Sequence, residues 1–468
     1  MSPSANKPPR KSPGPAGRRS GPHRREGHSE TARAASDEPR RAPDPRRAAH
    51  QLLMSVMEDG RTLADLTGRT GPLARMEPAV RARAQRLATE TLRHLGALDG
   101  LLSDHLAHMP PLPVLNVLRI AAYELCAGEA AHGVVNSAVT QVAGMARLER
   151  LKGMTNAVLR KVAATAVDPA QLPPSPLPVW LRDPLVMAWG EETITACEAA
   201  HARGAPLDLT PRDPSEASAL AEKLGASLLP TSLLPTGSIR LTGPNQVSAL
   251  PGFEAGEWWV QDAAAALPVA LLDPQPGERI LDLCAAPGGK SMQLAAAGAD
   301  VTAVDISSAR TERITENLAR TGLQARTVTD DALTFDETGW DAILLDAPCS
   351  ATGTIRRHPD LPYAGDGADI GALIELQTQM IDHALSLLKP GGRLMFCTCS
   401  LIPDEGEVQA EEALARHPCL TAETATLTRP GLDPAWITEE GGLRLRPDYW
   451  PDLGGMDGFY CVVLRKPA

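Results

Sequence analysis

The chain has 468 residues, enough for two to four domains, and 43% of them are apolar, ample for sizeable cores. No apolar run reaches the roughly 18 residues that span a bilayer. The N-terminal stretch lacks the apolar segment of a secretory signal, and eight cysteines, none at zinc-ligand spacing, argue against a disulfide framework or a metal site. The net charge of −11 is uneven: residues 1–48 hold 12 Lys/Arg against 5 Asp/Glu, while the rest carries 34 against 52, a body too acidic to advertise nucleic-acid binding.

Residues 1–44 are rich in Pro, Ser and Arg and read as a disordered basic tail, a solubilising extension rather than a tethering arm. From Pro45 to about Thr165 apolar residues recur at three- and four-residue spacing, as in Ala49-His-Gln-Leu-Leu-Met-Ser-Val-Met57, Val114 to Leu125 and Val134 to Val142. Breakers fall at Met109-Pro-Pro and Ala131-His-Gly. An all-α domain over 45–166 is expected, with its last helix in Lys152-Gly-Met-Thr-Asn-Ala-Val-Leu-Arg-Lys161. The stretches Leu118-Arg-Ile-Ala-Ala-Tyr-Glu-Leu125, Val134-Val-Asn-Ser-Ala138 and Leu151 to Arg160 resemble the NusB-like RNA-binding domain. Arg147, Arg150, Lys152, Arg160 and Lys161 are the basic candidates for an RNA face.

A Pro-rich linker covers 167–178, and 179–272 mixes short helical and strand patterns, as a small α/β subdomain would. From Gly277 on, nearly continuous apolar strands alternate with helices. The strands are Arg279–Leu283, Asp300–Val304, Ala325–Val328, Asp341–Leu345, Arg393–Cys397 and a closing Phe459–Leu464, and one helix runs from Ile370 to Leu388. Such runs predict a mostly parallel, Rossmann-like sheet covered on both faces over 273–468.

The first of these strands leads into Asp282-Leu-Cys-Ala-Ala-Pro-Gly-Gly-Lys-Ser291. Gly288 and Gly289 allow close backbone approach, and the helix they open offers free N–H groups to an anion. The second strand ends at Asp305, placed to bond ribose hydroxyls. A glycine loop with a downstream acid suits several nucleotide-like cofactors, but the G-x-G-x-x-G spacing of a dinucleotide site is missing. Two further segments carry thiols: Asp346-Ala-Pro-Cys-Ser-Ala-Thr-Gly353, with Cys349, and Cys397-Thr-Cys-Ser-Leu401, with Cys399.

Together these three segments resemble the RNA cytosine-5 methyltransferases. The resemblance implies S-adenosylmethionine held by Cys284, Ala285, Ala286, Pro287, Gly288, Gly289, Lys290 and Asp346, with Asp305 at the ribose and Asp331, or its neighbour Asp330, at the adenine. It implies Cys399 as the nucleophile on carbon 6, Cys349 in product release, and Asp346 at the ring nitrogen in position 3. In the DNA cytosine-5 enzymes the Pro-Cys residue attacks instead; both motifs here are the RNA arrangement. Lys290 could orient substrate, Cys284 and Cys397 could equally be apolar filler, and Arg356-Arg-His-Pro-Asp360 is placed to contact phosphates. Asp404, Glu405 and Glu407 suit the dipole of a helix start and read as structural.

The combination resembles the bacterial Fmu-type methyltransferases of small-subunit ribosomal RNA over about residues 45–465. It implies a monomeric cytoplasmic enzyme acting on 16S rRNA or an early assembly intermediate, with no membrane partner. Another RNA substrate such as tRNA, a non-catalytic RNA-binding factor, and a protein methyltransferase are the alternatives. The last of these usually carries Asn/Asp-Pro-Pro-Tyr where this chain has Asp-Ala-Pro-Cys.

Overall fold

The computed structural model describes residues 44–68, 71–226, 230–243 and 246–468; the basic tail, apart from Asp44, lies outside them. The first region is helical: α1 (Pro45–Asp59), α2 (Leu63–Thr67), α3 (Pro78–Arg93), α4 (Leu95–Ser103), α5 (Leu112–Cys126), α6 (Ala131–Ala143) and α7 (Lys152–Thr165). Helix α5 is the axis. Its Leu118 and Ala122 pack toward α6 and α7, while Ile120 packs toward α1 and α3. Polar groups enter this core only with partners: Asn116 accepts from Arg119, Arg119 grips Asp99, and Glu124 is held by Arg46 and Arg83. The expected break at Ala131-His-Gly is instead the first turn of α6. The chain turns earlier, at Gly128 (φ 81). One glycine inside a helix costs about 1 kcal/mol, which burial of Val134, Val135, Ala138 and Val142 outweighs. No helix among the described residues is long and apolar enough to cross a membrane.

The next helices, α8 (Val179–Trp189) and α9 (Glu191–Arg203), pack Leu181, Leu185 and Ile194 against Ile355, Leu401 and Ile402. They therefore brace the segments that follow the two cysteine motifs. A small antiparallel sheet comes next, built from β1 (Leu207–Pro211), β2 (Thr231–Leu233), β3 (Ile239–Leu241) and β4 (Trp258–Val260) in the order β2-β3-β1-β4, with α10 (Ala217–Gly225) against it. In β1, buried Asp208 pairs through both oxygens with Arg240.

The remaining elements are α11 (Ala263–Leu272), β5 (Arg279–Leu283), α12 (Gly289–Ala296), β6 (Asp300–Asp305), α13 (Ser308–Thr321), β7 (Arg326–Thr329), β8 (Trp340–Asp346), α14 (Leu361–Ala364), α15 (Ile370–Leu387), β9 (Leu388–Thr398), α16 (Glu407–Arg416), β10 (Thr421–Ala422), β11 (Leu443–Leu445) and β12 (Phe459–Arg465). The sheet order is β10-β12-β9-β8-β5-β6-β7, with β11 on β12; β5 to β9 run parallel and β12 runs against β9. Side chains alternate between two apolar layers. Leu281, Leu283, Ile343, Leu345 and Phe396 meet α15 and α16, while Ile280, Ala342, Leu344 and Met395 meet α11 and α12. Helix α11, placed with the small subdomain by sequence, thus packs on the main sheet. Strand order reverses between β5 and β8, so a crevice forms at their carboxyl ends, where doubly wound sheets bind ligands.

One buried cluster ties these parts together. Arg356, fully buried, pairs with Asp262 at the start of α11 and with Asp457 just before β12. The backbone carbonyl of Arg356 accepts from Arg93 of α3. The expected phosphate contact is therefore wrong for Arg356: a planar cation between two acids is a structural brace. Burial pushes the Asp457 carboxyl up to about 6, whereas at Asp262 the charges of Arg356 and Arg357 outweigh burial and hold it low. Arg356→Ala would leave Asp262 without its ion-pair partner and Asp457 with Arg357 alone, and should cost about 3–5 kcal/mol by chemical denaturation. A loss under about 1 kcal/mol would remove Arg356 from this role.

Candidate active site

The carboxyl edge of the sheet collects the chemistry-bearing residues. After β5 the chain turns through Cys284 (φ 61) and Gly288 (φ 99) into α12. A Cβ on Gly288 would stand 3.1 Å from Ile314, so side chain and backbone angle both favour glycine. The first-turn N–H groups of α12 face this loop without intrahelical partners. Beneath it, Asp282 is fully buried and takes the Ser291 hydroxyl on one oxygen; its Oδ1 has no partner among the described residues. Burial, aided by the charge of Asp346, pushes this carboxyl up to about 7.

Strand β6 delivers Asp305, which accepts from Ala286 N at 3.1 Å and from Ser307 N at 3.1 Å, with Arg310 on its solvent side at 3.3 Å. Each carboxylate oxygen keeps capacity for a further donor. After β7, Asp330 is exposed and caps Asp331 N, whereas Asp331 is half-buried and accepts from Leu333 N. Cys284 packs toward the sheet, and burial pushes its thiol up to about 12, which makes it inert filler.

Strand β8 ends at Asp346, and Lys290 reaches it from α12 at 2.7 Å. Burial works against the Lys290 charge, but Asp346 outweighs it and holds the ammonium protonated. Lys290 is thus committed to a carboxylate, over the Phe459 ring at 5.1 Å. Strand β9 ends beside β8; Cys397 lies on it and Cys399 just beyond its end. Cys397 is wholly buried in the α11 layer, its thiol held protonated by burial and by Asp346. Cys399 is half-buried, and its sulfur lies 3.6 Å from that of Cys349.

Neutral contacts lace the two cysteine loops together. Ser350, Thr352 and Ser400 form a hydroxyl triangle with sides of 3.1–3.2 Å. Thr352 Oγ1 accepts from Leu401 N, and Gly353 N donates to Cys399 O. Gly353 also packs so tightly on Gly458 that a Cβ would lie 2.0 Å from the Gly458 oxygen. Glu405, fully buried, binds both the amide and the hydroxyl of Ser350. The helix-dipole reading fails for Glu405, because α16 starts two residues later and this carboxylate points into the Pro-Cys loop. Glu407 opens α16 but is spent on Arg444, and Asp404 is exposed. Sequence reasoning also passed over Arg310 and the hydroxyl triangle; an acid six residues after Cys399 was the available signal for Glu405. Arg147, Arg150, Lys152, Arg160 and Lys161 are all exposed, the first three before or at the start of α7 and the last two along it.

Residues 269–465 match the family described as 16S rRNA methyltransferase RsmB/F, and residues 43–164 match the NusB family. The chain is 34% identical over 450 residues to ribosomal RNA small subunit methyltransferase B of Erwinia tasmaniensis, covering 89% of this chain and 97% of that protein. The Sodalis glossinidius protein of that name is 37% identical over 412 residues, covering 82% and 92%. The chain belongs to the RsmB/F family. As a member it is an S-adenosylmethionine-dependent rRNA methyltransferase. Among solved structures, a methyltransferase homologue from Pyrococcus horikoshii is 29% identical with a TM-score of 0.51, covering 61% of this chain and 94% of its own.

The crevice fits this cofactor on its own geometry. It has a glycine cradle at a helix N-terminus for a carboxylate, a buried acid with an orphaned oxygen, and acids at the ends of two successive strands. Asp305→Ala should weaken S-adenosylmethionine binding by about 1.5–3 kcal/mol, roughly 10- to 100-fold, by calorimetry; unchanged affinity would take Asp305 out of the site. Asp282 adds a pH dependence. Its proton binds near 7 folded and near 4 unfolded, so it favours the fold below about pH 4 and loses that contribution as pH rises through 7. The melting temperature should therefore fall less between pH 5 and 8 in Asp282→Asn than in the parent; parallel curves would place the proton elsewhere.

Proposed function

We propose that the chain methylates carbon 5 of a cytosine in 16S rRNA through a transient bond between Cys399 and carbon 6. The observation that carries this is the pairing of the Cys349 and Cys399 sulfurs, 3.6 Å apart at the ends of adjacent strands. Their surroundings differ. Lys290 and Arg357 both interact electrostatically with Cys399, while the charge of Glu405 acts on Cys349. The attacking role stays with Cys399 on its Thr-Cys-Ser motif, with Cys349 beside it as the second thiol.

Carbon 5 of cytosine is a poor nucleophile. Addition of the Cys399 thiolate to carbon 6 makes carbon 5 enamine-like, splitting one hard step into easier ones. Asp346, steadied by Lys290, would bind the ring nitrogen at position 3, or protonate it so that the ring draws electrons as the sulfur adds. Bound S-adenosylmethionine supplies an electrophilic methyl group. The loop from Cys284 to Lys290 would hold its amino-acid end, Asp305 its ribose and Asp331 its adenine; Asp330 is too exposed to share that place. Release requires loss of the carbon 5 proton and departure of Cys399, with Cys349 adjacent to assist. The target base must be unstacked or lie in a loop to reach the two sulfurs.

The helical region over 45–166 would seat the RNA through its basic residues from Arg147 to Lys161, ahead of the linker over 167–178. A monomer acting in the cytoplasm on naked 16S rRNA or an early small-subunit particle is the reading that follows. Bisulfite sequencing of RNA from cells with and without the gene should show one small-subunit cytosine losing its mark; a changed tRNA position would move the substrate there.

The roles of the sulfurs are separable. Cys349→Ala should transfer methyl and then stall, leaving a denaturant-resistant protein–RNA band when cofactor is present. Cys399→Ala should give neither turnover nor band while binding cofactor normally. The reverse pattern would exchange the two roles.

A further inference from the structure

Glu405 ends the single turn Pro403–Glu405, six residues after Cys399, and is fully buried. Among the described residues its carboxylate is met by neutral donors alone. Oε1 accepts from Ser350 N at 2.9 Å and from Gln377 Nε2 at 3.1 Å, and Oε2 accepts from the Ser350 hydroxyl. These donors fix the carboxylate against the Pro-Cys loop. Ser350, which it holds, is the chain neighbour of Cys349.

Acting on Cys349 are Cys399 from just beyond β9 and Glu405 from the turn before α16, while neutral Gln377 of α15 donates to Pro348 O beside it. The cations that act on Cys399 are Lys290 from α12, itself paired with Asp346 at the end of β8, and Arg357 from the segment after the Pro-Cys loop, itself paired with Asp457. The Cys349 thiol is pushed well up, first by its hydrogen bond with Cys399, then by burial, and then by the charges of Cys399 and Glu405.

We propose that Glu405 is a positioning residue that seats the Pro-Cys loop and keeps the proton on Cys349, so that Cys349 acts as the acid that lets Cys399 leave. This deepens, and rests on, the adduct mechanism above. In the release step the carbon 5–hydrogen bond breaks and its electron pair forms the double bond between carbons 5 and 6. The carbon 6–sulfur bond breaks and its pair returns to Cys399. The proton of Cys349 passes to the departing sulfur, and the carbon 5 proton takes its place on Cys349. Both cysteines end as thiols. Cys399 then yields one proton to solvent, the single proton that the overall methylation sets free. If Cys349 were ionised at the outset it could take a proton but give none, and the adduct would persist.

The test follows adduct decay in single turnovers from pH 6 to 10 with the full-length protein, using cofactor binding by calorimetry as the check on folding. In Glu405→Gln, Cys349 should ionise earlier, so the alkaline limit of adduct release should shift to lower pH, with release near pH 6 close to that of the parent. Glu405→Asp keeps the charge and should retain most of the parent limit. Ser350→Ala removes one hold on the carboxylate and should move the limit down, by less than Glu405→Gln. A merely structural role would slow release equally at every pH, and that result, or a Glu405→Gln limit overlying the parent, overturns the proposal. If Glu405→Gln does not fold, Ser350→Ala decides: a downward shift supports the proposal and none refutes it. Cys349→Ala in the same assay should hold adduct at every pH; if it holds none, the assignment of the cysteines has failed, whatever Glu405 does.

Discussion

The structure turns on one buried cation. Arg356 has no contact with water, and its charge is offset by Asp262, which begins α11, and by Asp457, which leads into β12. Arg356 itself lies on the segment leaving the Pro-Cys loop, and its carbonyl takes a hydrogen bond from α3. Separate regions therefore share one electrostatic node. Charges out of water tolerate little displacement, because each ångström lost from a pair restores desolvation cost with no compensating solvent. The position of Cys349, seven residues upstream, inherits that stiffness.

The sheet was legible because both its faces are covered. Strands β5, β6, β8 and β9 alternate between two apolar layers, so each reads as an apolar run with almost no polar interruption. What stayed hidden was long-range pairing. Arg356 in a polar loop looks like a phosphate ligand, since its partners lie 94 and 101 residues away. Glu405 looks like a helix-dipole residue because Ser350 is 55 residues upstream. No local period encodes either contact. The strands of the small sheet, several only three residues long, fall below the window in which period two can be recognised. The cysteines differ again: their motifs came from resemblance, and only the fold brings the two sulfurs within 3.6 Å.

The site also shows how a parallel sheet sets two similar side chains in unlike fields. Cys349 and Cys399 follow neighbouring strands and share one crevice, yet one lies near a lysine and an arginine and the other near a glutamate. The hydroxyl triangle between them adds rigidity without charge, so it does not blur that contrast. Two thiols of the same intrinsic chemistry thereby sit against differently charged loops.

Leu63, the first residue of α2, donates its backbone N–H to Asp360 across 297 residues, and Tyr363 and Ala364 pack onto the core of α1 and α3. During synthesis the helical region leaves the ribosome long before residue 360 exists. At the roughly 5–20 residues per second of translation, that amide and the adjoining apolar surface stay uncapped for about 15 to 60 seconds. The N-terminal region can gather its own helices in that interval, but its surface is finished only by a short helix from the far half of the chain. Vectorial synthesis thus leaves to the end the same joint that couples the helical region to the Pro-Cys loop.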